Sequence, residues 1–280
     1  MIEGLERVRA GEVELCVRDR GRGPAVVLLH GTTANLGVWD AVVDRLDDAC
    51  GRRMRTLAVD QRGHGRSGKP AAGYHAADYC ADTQALIEAR CGGPVIVVGH
   101  SLGARNAVVL GADRPDLVAG VVAVDYTPYV EPDVLDELEE RVRGGDRVFT
   151  SVAEVERYLH GRYPLLPRAA VRRRARYGYA PAVAGIRPLA DPAAMVHTVN
   201  GLRHDFIAEM RGIAVPVTLL RGQLSRIISG EAFAATRELR PDLRALEVPR
   251  ADHYLPEVAP DTVAAEVARM VDHLSTTIKE

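Results

Sequence analysis

The stretch VVGHSLGARN, residues 97–106, puts Gly99, Ser101 and Gly103 in a G-x-S-x-G arrangement, directly after a buried apolar run and directly before a helical pattern. A sharp strand-to-helix turn strains the backbone at its serine and leaves no room for side chains at the two flanking glycine positions. It presents the hydroxyl at the tip of a sheet, which makes Ser101 the candidate nucleophile. That reading requires a strand before the serine and a helix after it, so the rest of the chain must supply a sheet with crossover helices.

It does. PAVVLLH precedes WDAVVDRL, RTLAVD precedes a helical pattern over 75–90, and PVIVVGH precedes one over 102–114. LVAGVVAVD, PVTLLRG and LRALEVP follow, with a last helical pattern over 260–275. Fully apolar strands separated by helices predict an α/β fold, with a mostly parallel sheet covered by helices on both faces. GEVELCVRD alternates instead, as an antiparallel edge strand does, and eight strands are expected in all. Between Asp125 and Val215 lie about 90 residues with helical patterns and no convincing strand, too long for a structureless loop. The expected organisation is a core of residues 1–125 and 211–280, with a helical cap inserted at 126–210.

Composition agrees and excludes other classes. A chain of 280 residues, 47% hydrophobic and 26% charged, can bury a large core without disulfides or metal. A formal net charge of −2 gives no nucleic-acid signature. All of the 36 basic residues except Lys69 and Lys279 are Arg, so a single Arg carries little information on its own. MIEGLERVRA lacks the apolar region of a secretory leader, and no run reaches 18 apolar residues; the expectation is a cytoplasmic protein with no membrane partner. Cys16, Cys50, Cys80 and Cys91 have no CxxC spacing and read as reduced structural residues, and the nine His residues include no HExxH or zinc-like cluster. Neither a metal nor a cofactor is expected, and a homo-oligomer is left open.

A serine nucleophile needs donors for the developing oxyanion, a base and an acid. Backbone N–H groups are the usual donors: Leu102 supplies one at the helix start, and Thr32 in HGTT, residues 30–33, the second. The base should be a late histidine on the loop after the last strand, which selects His253 in PRADHYLPE. His273 falls on a solvated helix face, His64, His75 and His100 sit beside other strands, and His30 reads as a loop-shaping residue. The acid is displaced. In the stretch LLRGQLSRIIS, residues 219–229, the loop where it is expected reads Gln223, Leu224, Ser225, Arg226. Parallel neighbours end at the same sheet edge, so the preceding strand, which closes VAVD, offers Asp125 instead. Asp252 adjoins His253 too closely to aim at the same imidazole, and Glu257 is a weak reserve.

GHGRSG, residues 63–68, satisfies GxGxxG after a strand, but Lys69, Pro70 and Gly73 follow where a dinucleotide site needs a helix. It reads as a structural turn. The cap holds 11 Arg against Asp146, Glu154 and Glu156 between Arg141 and Arg187. Arg forks suit carboxylates, so a small anionic substrate is expected. RRRAR, residues 172–176, is read as a solvated helix face.

With HG at 30–31, DQRGHGRS at 60–67, GHSLG at 99–103 and DHY at 252–254, the chain resembles the α/β-hydrolases over nearly its full length. GHSLGARN, VVAVDYTPYVEPDVLDELEERV, LHGRYP, RPLADPAAM and RADHY are similar, more narrowly, to the (E)-2-(acetamidomethylene)succinate hydrolases, amidohydrolases of vitamin B6 degradation. The chain departs from them around Cys50–Arg53 and at Leu255 and Pro256. The resemblance implies a Ser101, Asp125, His253 triad and a dicarboxylate held by Arg141, Arg162 and Tyr163. The expected function is serine-dependent hydrolysis of the amide bond of a small dicarboxylate. The alternatives are an esterase or lactonase acting on another small acid, and a non-catalytic receptor on a hydrolase scaffold.

Overall fold

A computed structural model describes residues 4–50 and 54–277. In chain order the elements begin with β1 (Leu5–Ala10), β2 (Val13–Gly21), β3 (Ala25–Leu29), α1 (Asp40–Cys50) and β4 (Arg55–Asp60). Next come α2 (Ala76–Arg90), β5 (Val95–His100), α3 (Leu102–Asp113) and β6 (Val118–Val124). An inserted segment carries α4 (Pro132–Arg143), α5 (Val152–Arg162), α6 (Arg168–Gly178), β7 (Tyr179–Ala182), β8 (Gly185–Pro188), α7 (Pro192–Asn200) and α8 (Ile207–Gly212). The chain finishes with β9 (Val217–Gly222), α9 (Gly230–Leu239), β10 (Arg244–Val248), α10 (Leu255–Val258) and α11 (Pro260–Thr277).

Eight strands form one sheet in the order β1-β2-β4-β3-β5-β6-β9-β10. All pairings from β4 to β10 are parallel; β2 runs antiparallel to both β1 and β4. β2 is therefore not the edge strand that its alternation suggested. LERVRA supplies the edge as β1, and its interrupting charges obscured it in the sequence.

Period-two alternation along the parallel strands feeds two cores. Val27, Leu29, Val97, Val121 and Leu219 join one cluster with Val108 of α3 and Met210 of α8. Val26, Leu28, Val98, Val122 and Leu220 join the other with Val42 of α1 and Val263 of α11. Strands buried on both faces read as continuous apolar runs for this reason.

The inserted segment is not wholly helical. β7 and β8 form a hairpin with an exposed tip at Val183, and Phe149 bridges to Ile186. Pro181 and Gly185 within those four-residue strands concealed them. Two of its helices, α5 and α7, carry side-chain caps: Ser151 accepts from the Glu154 N–H at 3.2 Å, and Asp191 accepts from the Ala194 N–H at 2.8 Å with Pro192 opening α7. Phe206 and Met210 pack into the sheet core, so the chain has rejoined the core before residue 210.

Cys16, Cys80 and Cys91 carry free thiols; the Cys50 side chain and residues 51–53 lie outside the described residues. Among the described residues no helix is long and apolar enough to cross a membrane.

Candidate active site

Ser101 sits between β5 and α3 at φ 53°, ψ −114°, a conformation L-residues rarely adopt. The two flanking glycines explain how the chain tolerates it. A Cβ on Gly99 falls 2.1 Å from the Gly103 carbonyl oxygen, and one on Gly103 falls 2.1 Å from that of Leu29. Only glycine lets β3, β5 and α3 close this tightly, and the strain of order 1–3 kcal/mol at the serine is held by the packing around it.

The HGTT loop runs against the same turn. A Cβ on Gly31 would lie 3.2 Å from Ser101 Cβ and 2.9 Å from His100 Nδ1, so the backbone at Thr32 is close to the serine. Leu102 opens α3, where the first N–H groups lack intrahelical acceptors. His30 is fully buried; its Nε2 accepts from the Gln61 N–H at 3.1 Å, and burial, with nearby His64, drives its pKa well below the usual histidine value. It shapes the loop and is not placed as a base.

The displaced acid and the histidine meet. His253 Nδ1 lies 2.6 Å from Asp125 Oδ2. Asp125 follows β6 directly in a left-handed conformation, φ 49°, which turns its fully buried carboxylate towards the ends of β9 and β10. The carboxylate also accepts from the Gly222 N–H at 2.7 Å and from the Ser225 hydroxyl at 2.6 Å. The loop that lacks an acid thus supplies donors to the acid beside it. The other two carboxylates are engaged elsewhere: Asp252 accepts from the Tyr254 N–H at 3.0 Å, and Glu257 pairs with Arg174.

Three contacts fix the loop carrying His253. Leu224 N–H donates to the Ala251 carbonyl at 2.8 Å, and the bare Cα of Gly222 admits the Asp252 carbonyl, which a Cβ would meet at 2.3 Å. His100 Nε2 lies 2.7 Å from the His253 carbonyl oxygen. Burial, and then the neighbouring His253, push the His100 pKa well down, so His100 is neutral and donates its Nε2 proton there.

A cavity opens over this turn, lined by Thr32, Ser101, His253, Arg141, Arg162 and Tyr163. Six residues named from the sequence therefore share one space; Asp125 stands behind His253, and Leu102 is buried beside Ser101. No Asp or Glu lines the cavity. Arg141 and Arg162 make no ion pair among the described residues; Arg162 Nε reaches the Tyr163 hydroxyl at 3.2 Å. Burial opposes ionisation of the Tyr163 phenol, but the guanidinium groups of Arg174, Arg162 and Arg141 outweigh it and lower its pKa.

Arg174 also lines the cavity and corrects the reading of RRRAR. Arg172 and Arg176 are exposed, whereas Arg174 is 8% exposed. Its Nε lies 2.9 Å from both carboxylate oxygens of Glu257, with a further contact from Nη2. Tyr163 and Tyr254 stack against it with ring centroids at 4.5 and 4.8 Å. A signal was present: α6 buries Ala170, Val171, Ala175 and Tyr177, and Arg174 falls on that helical stripe.

This arrangement can activate a serine hydroxyl beside a pocket of cations. The GHGRSG turn has no such role: Gly65 is held at φ +49° over Asp60, whose carboxylate accepts from the Leu36 and Arg66 N–H groups, each at 2.8 Å.

Known proteins carry the same frame. The 2-(acetamidomethylene)succinate hydrolase of Mesorhizobium japonicum is 47% identical over 266 residues, covering 95% of this chain and 94% of that protein. The crystal structure of an E-2-(acetamidomethylene)succinate hydrolase superposes with a TM-score of 0.92 at 47% identity, over 96% of this chain and 98% of that one. A thioesterase domain from the curacin biosynthetic pathway superposes at 0.82 with 21% identity, over 94% and 98% of the two chains, a likeness of fold alone. The family model described as "Alpha/beta hydrolase family" matches residues 26–266, which hold six of the eight sheet strands and the serine turn, and by that match the chain belongs to the alpha/beta hydrolases.

Proposed function

We propose that this enzyme hydrolyses the amide bond of a small dicarboxylate, (E)-2-(acetamidomethylene)succinate or a close analogue, through an acyl-serine intermediate. The carrying observation is the cavity over Ser101: a histidine hydrogen-bonded to a buried carboxylate on one side, three guanidinium groups and no lining acid on the other. The 47% identity to a 2-(acetamidomethylene)succinate hydrolase supports the particular substrate.

In this reading Arg141, Arg162 and Tyr163 hold the two carboxylates, since a charge-assisted hydrogen bond contributes about 1.5–3 kcal/mol and Arg engages a carboxylate with two N–H groups. Ser101 Oγ attacks the acetyl carbonyl carbon while His253 Nε2 takes its proton. Asp125 accepts the Nδ1 hydrogen and stabilises the imidazolium. The backbone N–H groups of Thr32 and Leu102 receive the oxyanion, each worth about 2.7–4 kcal/mol in the transition state. Collapse breaks the C–N bond, and His253 returns the proton to the departing nitrogen. The released enamine takes up water and decomposes to succinic semialdehyde, ammonia and carbon dioxide. A second water, activated by His253, cleaves the acetyl-serine to acetate. The setting proposed is cytoplasmic, which suits the free thiols of Cys16, Cys80 and Cys91.

Acetate release from (E)-2-(acetamidomethylene)succinate by purified protein, absent in Ser101→Ala, tests this. No turnover of that compound, with turnover of p-nitrophenyl acetate, overturns the amide reading in favour of an esterase.

A further inference from the structure

We propose that Glu257 is a specificity-determining residue: by neutralising Arg174 it limits the cavity to two uncompensated guanidinium groups, so that a dianion matches it. This rests on the dicarboxylate reading above and specifies which groups set the charge count.

Three arginines line one cavity, yet they are not equivalent. Arg174 is spent. Its Nε and Nη2 edge faces Glu257, which is itself 3% exposed, and aromatic rings of Tyr163 and Tyr254 occupy positions over the guanidinium. Glu257 takes the Nε–Nη2 edge and compensates the charge, so a substrate carboxylate that reaches the remaining Nη1 hydrogens meets no net positive charge there. Arg141 and Arg162 keep theirs, with no carboxylate partner among the described residues. At the mouth, Arg226 and Asp252 add one charge of each sign and leave the balance unchanged. Three positive charges less one leaves two.

Among the described residues, Arg174 is the one side-chain partner of the Glu257 carboxylate. Glu257 lies on α10, four residues after His253, and Arg174 lies on α6 of the inserted segment, so the pair also joins the segment that would bind substrate to the loop that would hold the base. A buried carboxylate is stable there only with the cation opposite it, and the reverse holds for Arg174.

The test is competitive inhibition of acetate release by propanoate, succinate and propane-1,2,3-tricarboxylate, for the unmodified enzyme, Glu257→Gln and the double variant Arg174→Gln/Glu257→Gln. The unmodified enzyme should favour succinate. Glu257→Gln exposes a third positive charge and should move the tricarboxylate-to-succinate ratio about tenfold or more towards the trianion, the scale of one charge-assisted bond. The double variant returns the count to two and should restore the original ratio. An unmoved ratio in Glu257→Gln overturns the proposal. So does a double variant that loses succinate binding as severely as Arg162→Gln, because Arg174 would then be a ligand itself. If Glu257→Gln does not fold, the double variant decides alone. An unmodified enzyme that binds none of the three acids refutes the anionic-substrate reading, a separate failure from an unmoved ratio.

Discussion

Ser225 donates its hydroxyl to the Asp125 carboxylate at 2.6 Å, from the very loop in which an acid was expected and is missing. Two neighbouring strand ends thus build one acid site, β6 bringing the carboxylate and β9 the Ser225 O–H and Gly222 N–H that orient it.

Asp125→Asn should lower turnover by about 10⁴ with the fold retained. The Gly222 N–H fixes an acceptor at the Oδ1 position, so the new amide nitrogen takes the Oδ2 position facing His253 Nδ1. A donor there forces the proton onto Nε2, leaving nothing to accept the serine proton. Acetate release compared with thermal melting separates chemistry from folding; turnover within tenfold of the unmodified enzyme would remove Asp125 from the mechanism.

Ser225→Ala acts on the same carboxylate more gently. It deletes one of three donors and unseats the Ile227 and Ile228 N–H groups, which the Ser225 oxygen accepts at 3.3 and 3.1 Å. The expected loss of stability is about 2 kcal/mol, read from urea midpoints, with turnover reduced about tenfold or less.

Arg162→Ala should raise KM by about tenfold to a hundredfold with kcat little changed, because a carboxylate remote from the breaking bond is held equally in ground and transition states. Arg162→Lys should recover only part of the loss, since an ammonium keeps the charge without the fork. Equal falls in kcat for both variants would instead place Arg162 at the reacting atoms.

The sheet and the serine turn were legible because local pattern and long-range structure agree there: apolar runs become strands buried on both faces, and paired glycines permit one tight crossing. Asp125 was legible by topology, since β6 lies between the strand of Ser101 and the strand whose loop lacks an acid. What was hidden depends on contacts between segments far apart in sequence. Arg174 looked solvated in an arginine-rich run until Glu257, 83 positions later, and two tyrosines closed around it. His100 showed nothing in sequence of its bond to the His253 carbonyl, 153 positions away. The hairpin β7–β8 is too short for alternation to register.

Acid should destabilise the fold through histidines that are buried neutral. Burial pushes the His64 pKa down to about 4, while the unfolded chain titrates near 6.5. Between those values the unfolded state binds a proton that the folded state does not, so stability rises with pH across this window. It is complete above pH 6.5, declines as pH falls towards 4 and loses nothing more from this group below that. The gap corresponds to about 3 kcal/mol for His64 alone, and His30 and His100 shift in the same direction. His64 Nδ1 lies 2.8 Å from the Arg62 carbonyl oxygen, a contact that an amide N–H can reproduce. His64→Asn should therefore fold at pH 7 and show a shallower fall in urea midpoint between pH 6.5 and 4.5 than the unmodified protein. Equal slopes for the two proteins would mean that other groups carry the acid sensitivity.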